Sequence, residues 1–132
     1  MEYRTLGSTG TIVSTLCLGT MTFGTESDEA VSHAQLDRFV EQGGTFVDTA
    51  NVYSAGASEE IIGRWLAARP GARDSIVLAT KGRFSRTGVR NELGLSRLHL
   101  TKALDASLRR LGVETIVPVL PSVRYSMQTS LR

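Results

Sequence analysis

A repeated unit of buried strand, loop and amphipathic helix constrains the fold of this chain more than any other feature. Apolar runs at residues 15–20, 45–50 and 75–80 predict three strands whose ends lie about thirty residues apart, and residues 114–120 predict a fourth. Apolar residues at helical spacing predict helices over 32–42, from Ser58 to the Pro70-Gly71 pair, and from Ser96 or Thr101 to Gly112. This alternation indicates an α/β fold with a parallel sheet, preceded by a β-hairpin at residues 3–13.

The length and composition exclude several classes of protein. With 132 residues and a net charge of +2, the chain suits one globular domain, and its scattered basic residues do not predict nucleic-acid binding. No apolar run approaches the ~20 residues of a membrane span, and the N-terminus does not resemble a signal peptide. The single cysteine, Cys17, suits a reducing cytoplasm and is predicted to be a small core residue of a buried strand. No metal-ligand spacing appears in the sequence.

Three polar side chains follow the predicted strands at the edge where parallel α/β folds bind ligands. Asp48 and Lys81 lie at the ends of two strands, and Tyr53 lies in the loop after Asp48. We expect Asp48 and Lys81 to form an ion pair at the bottom of a pocket, with the Lys81 ammonium favouring the Tyr53 phenolate. Such a tyrosine can protonate a carbonyl oxygen while hydride from a nicotinamide cofactor reaches the carbonyl carbon.

Five ordered motifs surround these residues, and through them the sequence resembles the aldo-keto reductases over about residues 3–116. The motifs are LCLGTMTFG at 16–24, FVDTANVY at 46–53, SEEIIG at 58–63, VLATK at 77–81 and SLRRLG at 107–112. The resemblance implies a (β/α)₈ TIM barrel and NADPH-dependent reduction of aldehydes or ketones.

The same resemblance assigns roles to individual residues. Tyr53 is expected to donate the proton, tuned by Asp48 and Lys81. Gly19, Thr20 and Met21, together with Asp48, are expected to line the nicotinamide side of the pocket.

The chain departs from the family pattern near its end. A barrel of this type needs about 250 residues, so residues 1–116 correspond to the N-terminal half, or about three to four βα units. Residues 117–132 form a divergent tail in which Pro118 and Pro121 argue against a normal strand. One hypothesis is a disrupted reading frame just after Ile116, since the codons for Pro-Val-Leu at 118–120 can encode Leu-Tyr, as the family has there, when shifted by one base. A half barrel leaves sheet edges open, so we expect weak or no activity and a chain that is aggregated, partly unfolded or stabilised by self-association.

Other interpretations stay open from the sequence alone. The chain could be a non-catalytic regulatory or binding module on the same fold, or a non-functional product of a disrupted reading frame. Taken singly, Asp48 could be a turn former, Tyr53 a packed loop aromatic, Lys81 a solvated strand-end residue and Gly19 a turn glycine. His33 and His99 are interpreted as surface or packing residues, Trp65 as core, and the Glu59-Glu60 pair as the first turn of a helix.

Overall fold

A β-hairpin opens the fold, as the sequence predicts. The computed structural model describes residues 1–85 and 87–118, and its first two strands, β1 (Tyr3–Thr5) and β2 (Ile12–Ser14), pair antiparallel. Reciprocal hydrogen bonds join the hairpin to the rest of the fold: the Ser14 N–H donates to the Thr45 hydroxyl at 2.9 Å, and the Thr45 N–H donates to the Ser14 hydroxyl at 3.0 Å.

A parallel sheet forms the centre of the fold. Its strands are β3 (Cys17–Gly19), β4 (Phe46–Asp48), β5 (Val77–Thr80) and β6 (Val117–Pro118), and each lies beside its predecessor in chain order. Helices connect these strands, which is the arrangement of a (β/α)₈ barrel. The described residues therefore form an incomplete barrel, and the predicted fold class is confirmed.

The helices pack their apolar faces against this sheet. They are α1 (Glu29–Glu41), α2 (Ala57–Ala67), the short α3 (Ala72–Ser75) and α4 (Arg97–Leu111), and a 3₁₀ turn (Tyr53–Gly56) precedes α2. Burying a large apolar side chain stabilises a fold by roughly 1.5–3 kcal/mol, so this shared core holds the layers together. The core consists of Phe23, Leu36, Val47, Ile61, Ile62, Trp65, Ile76, Leu78 and Leu111.

Two predicted helix starts are wrong. The first helix begins at Glu29 rather than residue 32, because the Asp28 carboxylate accepts a hydrogen bond from the Val31 N–H at 2.8 Å and caps the helix there. The second begins at Ala57, so Ser58 lies inside the first turn and does not cap it. For the third predicted helix, both ends are confirmed. The Ser96 hydroxyl caps its start by accepting from the His99 N–H at 3.2 Å, and the helix ends at Gly112.

Helices α2 and α4 cross in close contact because Gly63 has no side chain. A Cβ atom at Gly63 would clash with the carbonyl oxygen of Arg110 and would lie 3.0 Å from that of Leu111. The missing methyl group lets the two backbones approach, which places the N-terminal part of α2 beside Arg110 of α4.

Within the described residues, the fourth predicted strand, at residues 114–120, is present only as the two-residue β6 (Val117–Pro118). Pro118 pairs with Thr80 in parallel register, at the edge of the described sheet, where a missing N–H donor is tolerated. The third strand also differs slightly from prediction, since α3 occupies its expected start and β5 begins at Val77. Residues 119–132, which include most of the predicted divergent tail and Pro121, lie outside the described residues.

Cys17 is exposed, which corrects its prediction as a core residue. It belongs to β3 at one edge of the sheet, next to Leu16, which is 63% exposed. Within the described residues nothing covers this end of the sheet, so its apolar side chains stay accessible. None of the described helices is long and apolar enough to cross a membrane.

Candidate active site

Asp48, Tyr53 and Lys81 meet at the C-terminal edge of the parallel sheet. The Lys81 Nζ atom forms an ion pair with the Asp48 carboxylate and donates hydrogen bonds to the Thr49 carbonyl at 2.9 Å and to the Tyr53 hydroxyl at 3.2 Å. Asp48 ends β4 and Lys81 directly follows β5, so two adjacent strands bring the pair together. The predicted convergence of these three side chains is therefore present.

The backbone after Tyr53 adopts an unusual conformation. Ser54 and Ala55 have φ values of 49° and 58°, in the left-handed region that non-glycine residues seldom occupy. Such residues cost about 1–3 kcal/mol each and concentrate at functional sites. The Ser54 hydroxyl donates to the Phe23 carbonyl at 2.6 Å and holds the turn against the loop after β3. This fixes Tyr53 in the catalytic rim, the group formed by Asp48, Tyr53 and Lys81.

A cluster of buried hydroxyl groups lies beneath the rim. Ser58, Thr20 and Thr49 are all 0% exposed. The Ser58 hydroxyl lies 2.9 Å from both the carbonyl and the hydroxyl of Thr20, and 3.1 Å from the Thr49 hydroxyl. This cluster joins the start of α2 to the ends of β3 and β4. Sequence reasoning missed it because a serine before Glu59-Glu60 fits a helix cap equally well.

An ion pair with a buried carboxylate also contacts the strand end that precedes Lys81. The Glu59 carboxylate is 0% exposed and accepts hydrogen bonds from the Thr80 hydroxyl at 2.6 Å and the Arg110 Nε at 2.7 Å. Because Thr80 precedes Lys81, this pair links α2 and α4 to the strand end that carries the ammonium group. The sequence showed Glu59 only as a first-turn residue, since its partner lies 51 positions away.

The residues predicted to line the nicotinamide side lie at the same edge. Gly19 pairs with Asp48 in the sheet, and a Cβ atom at Gly19 would meet no atom within 4 Å. Met21 is 65% exposed. Thr20 is fully buried instead, and its N–H and hydroxyl both donate to the Asp48 carbonyl, at 3.0 Å and 3.1 Å.

The pKa of the Cys17 thiol depends on the charges of Asp48 and Lys81. Its pKa is raised to about 11, first by desolvation and then by the negative charge of Asp48, while the positive charge of Lys81 acts in the opposite direction. The thiol is therefore protonated at neutral pH and is not a nucleophile there.

The chemistry of the site suits proton transfer. An ammonium group beside a phenol stabilises the phenolate that remains after the phenol gives up its proton. In the described part of the chain, no cluster of three or more histidine, cysteine, aspartate or glutamate side chains could hold a metal ion.

Comparison with known proteins places this arrangement in a family. A sequence model of the Aldo/keto reductase family matches residues 15–119, which include Asp48, Tyr53 and Lys81. The chain belongs to the aldo-keto reductase family. This membership agrees with the fold, in which the three residues occupy the ligand-binding edge of a parallel sheet.

Proteins similar to this chain occur in bacteria and fungi. The chain is 41% identical to the uncharacterized oxidoreductase YrpG of Bacillus subtilis, over 88% of this chain and 38% of that protein. It is 42% identical to norsolorinic acid reductase B of Aspergillus parasiticus, over 87% of this chain and 34% of that protein.

A solved structure also resembles this chain. The holo form of the aldo-keto reductase AKR11C1 from Bacillus halodurans superposes with a TM-score of 0.73 at 35% identity, covering 88% of this chain and 38% of that one. The chain thus spans less than two fifths of the length of these relatives, and the match covers the part that bears Asp48, Tyr53 and Lys81.

Proposed function

We propose that this chain carries the proton-donating half of an NADPH-dependent reductase that acts on aldehydes or ketones. The observation that carries the proposal is the Lys81 ammonium group, which lies 3.2 Å from the Tyr53 hydroxyl while paired with Asp48. A lysine fixed by a carboxylate and pointing at a phenol is an arrangement for stabilising a phenolate.

In the proposed reaction, Tyr53 protonates the carbonyl oxygen of the substrate. Lys81 stabilises the resulting phenolate, and Asp48 holds the Lys81 ammonium group in position. When bound, NADPH would supply the hydride for the carbonyl carbon. Gly19 and Met21 would contact its nicotinamide side, and the open space above Gly19, next to Asp48, supports this fit. Thr20 would act indirectly, by fixing the Asp48 backbone.

A chimera tests this proposal. Residues 1–116 of this chain would replace the aligned segment of the Bacillus halodurans reductase, and the oxidation of NADPH would be followed with 4-nitrobenzaldehyde as a reactive aldehyde. We expect the chimera to oxidise NADPH only when the aldehyde is present. We expect the unfused chain to bind NADPH poorly and to show little or no turnover.

The outcomes of this experiment separate the proposal from its rivals. A folded chimera that binds NADPH without aldehyde-dependent oxidation would support a non-catalytic module and contradict the proposal. The unmodified Bacillus halodurans protein serves as the positive control for cofactor and substrate. Further parts of the proposal are a cytoplasmic location and a small carbonyl compound as the partner, with no role for nucleic acid or membrane.

A further inference from the structure

Two oxygen acceptors hold the Lys81 ammonium group while it donates to the Tyr53 hydroxyl. They are the Asp48 carboxylate and the Thr49 carbonyl, which belong to consecutive residues at the C-terminal end of β4. The direction in which Lys81 presents an N–H group to the phenol therefore depends on the position of this short backbone segment. Residues that fix the segment act on the catalytic rim without touching Tyr53.

The buried hydroxyl cluster of Ser58, Thr20 and Thr49 reaches both of those acceptor residues. Thr20 contacts the first of them, because its hydroxyl and its N–H donate to the Asp48 carbonyl at 3.1 Å and 3.0 Å. Thr49 is itself the second. The Ser58 hydroxyl lies between the two threonines, 2.9 Å from the Thr20 hydroxyl and 3.1 Å from the Thr49 hydroxyl. Ser58 therefore joins both acceptor residues to the first turn of α2.

The order of donors in this cluster follows from the number of protons, since each hydroxyl group has one. The Thr20 hydroxyl donates to the Asp48 carbonyl, so it accepts a hydrogen bond from Ser58. The Ser58 hydroxyl donates to Thr20 and accepts from Thr49. Replacing Ser58 by alanine would remove the acceptor of the Thr49 hydroxyl and a donor to Thr20 at once.

Bulk water cannot easily take the place of the Ser58 hydroxyl. Ser58, Thr20 and Thr49 are all 0% exposed, so a hydroxyl group that loses its partner here lies away from solvent. A buried polar group without a partner is costly, and nearly all such groups in folded proteins are paired. We therefore expect the loss of this hydroxyl to displace the backbone at residues 48 and 49.

We propose that Ser58 is a positioning residue for Lys81. Its hydroxyl holds Asp48 and Thr49 where their oxygen atoms direct the ammonium group toward Tyr53. The effect of Ser58 on turnover rests on the proposed reductase function, whereas its effect on the position of Lys81 does not. Because Ser58 is fully buried, it acts through these residues and does not contact the substrate.

Chemical labelling of lysine in the purified full chain tests the positioning role without any enzymatic activity. The chain has two lysines, Lys81 and the exposed Lys102, so the second is an internal reference. After brief treatment with acetic anhydride, mass spectrometry of peptides gives the ratio of labelling at the two sites. We expect this ratio to be at least about fivefold lower in native chain than in urea-unfolded chain, and to rise at least about threefold in native Ser58→Ala.

Ser32→Ala is the matched control for this labelling. Ser32 is also a 0% exposed serine in the first turn of a helix, and its hydroxyl donates to the Asp28 carbonyl at 2.7 Å at the start of α1. We expect its labelling ratio to equal that of the original chain. Equal ratios in Ser58→Ala and Ser32→Ala, or no protection of Lys81 in the native chain, would overturn the proposal. If Ser58→Ala does not fold, Thr49→Val breaks the same cluster and is judged by the same criterion.

The chimera with the Bacillus halodurans reductase tests the consequence for turnover. We expect Ser58→Ala to lower kcat for aldehyde reduction at least about tenfold while KM changes by less than about threefold, because proton transfer is affected and substrate contacts are not. A kcat equal to that of the Ser32→Ala chimera would overturn the effect on turnover. A chimera that is inactive before any substitution would contradict the proposed function alone, and the labelling ratio would still decide whether Ser58 positions Lys81.

Discussion

Lys81 connects the residues of the catalytic rim, because its ammonium group contacts the Asp48 carboxylate, the Thr49 carbonyl and the Tyr53 hydroxyl. These contacts come from one strand end and the loop that follows it. Replacing Asp48, Tyr53 or Lys81 would leave a partly buried charge or phenol without one of its partners, which is costly in a protein interior. The geometry at this site is thus set by side chains that each have more than one role.

Cys17 offers a test of the electrostatics near Asp48 that needs no enzymatic activity. Because its pKa is raised to about 11 from 9.0, the reactive thiolate should be scarce at pH 8. We expect native chain to react with iodoacetamide roughly a hundredfold more slowly than urea-unfolded chain, and the rate to rise as the pH approaches 11.

The variant Asp48→Asn tests the assigned cause of this shift. Desolvation raises the pKa of Cys17 most and the negative charge of Asp48 raises it further, so removing that charge should lower the pKa and speed alkylation at pH 8. Equal rates for native and unfolded chain, or slower alkylation in Asp48→Asn, would contradict this view of the site.

Helices α2 and α4 hold the residues that contact the strand end before Lys81. Both the Glu59–Arg110 ion pair and the close contact at Gly63 join these two helices. The packing of these helices therefore sets the position of the Glu59 carboxylate, which accepts a hydrogen bond from Thr80, the residue before Lys81.

Gly63→Ala tests this helix contact. The added methyl group clashes with backbone atoms of α4 that cannot rotate away, so we expect a loss of about 1–3 kcal/mol in the free energy of unfolding. Urea unfolding followed by the fluorescence of Trp65, which is buried in the core, measures this loss. Gly19→Ala is the matched control because its methyl group meets no atom within 4 Å. Equal stability of the two variants would show that the helices do not pack as described.

The sequence predicted the strands, the helices and the residues of the catalytic rim better than it predicted the buried hydrogen bonds that hold those residues in place. Strand ends after apolar runs were enough to bring Asp48 and Lys81 to one edge, because adjacent parallel strands end together. The partners of Ser58 and Glu59 were not predictable, since they lie on other elements and no local pattern encodes them. The left-handed Ser54 and Ala55 also have no sequence signal, as glycine is the residue normally expected in that conformation.

The whole molecule exposes apolar surface at both ends of the described sheet. Beside α4, an apolar cavity of about 450 Å³ is lined by residues that include Leu95, Leu100, Leu104 and Ile116. At the other end, Leu16 and Met21 are 63% and 65% exposed. Surfaces of this kind favour association with another chain. We propose that the 132-residue chain associates with itself through them, and that residues 1–116 act as a half barrel.

Size-exclusion chromatography with light scattering tests this association. We expect the purified chain to elute as species larger than its 14.3 kDa mass. Leu104→Glu places a charge in the apolar cavity beside α4 and should shift the population toward smaller species. Leu93→Glu makes the same change at an exposed position outside that cavity and should not. A sharp monomer peak together with a cooperative thermal transition would contradict the proposal.

The role of Tyr53 as proton donor is tested most directly by kcat/KM for aldehyde reduction in the chimera with the Bacillus halodurans reductase. Tyr53→Phe removes only the hydroxyl group that contacts Lys81, and we predict a loss of at least ~100-fold with the cofactor affinity retained. Tyr3→Phe makes the same change on the N-terminal hairpin, where the hydroxyl donates to the Gly43 carbonyl away from Lys81, and should leave kcat/KM unchanged. A Tyr53→Phe chimera that is folded and within about twofold of the Tyr3→Phe chimera would contradict the proposed chemistry.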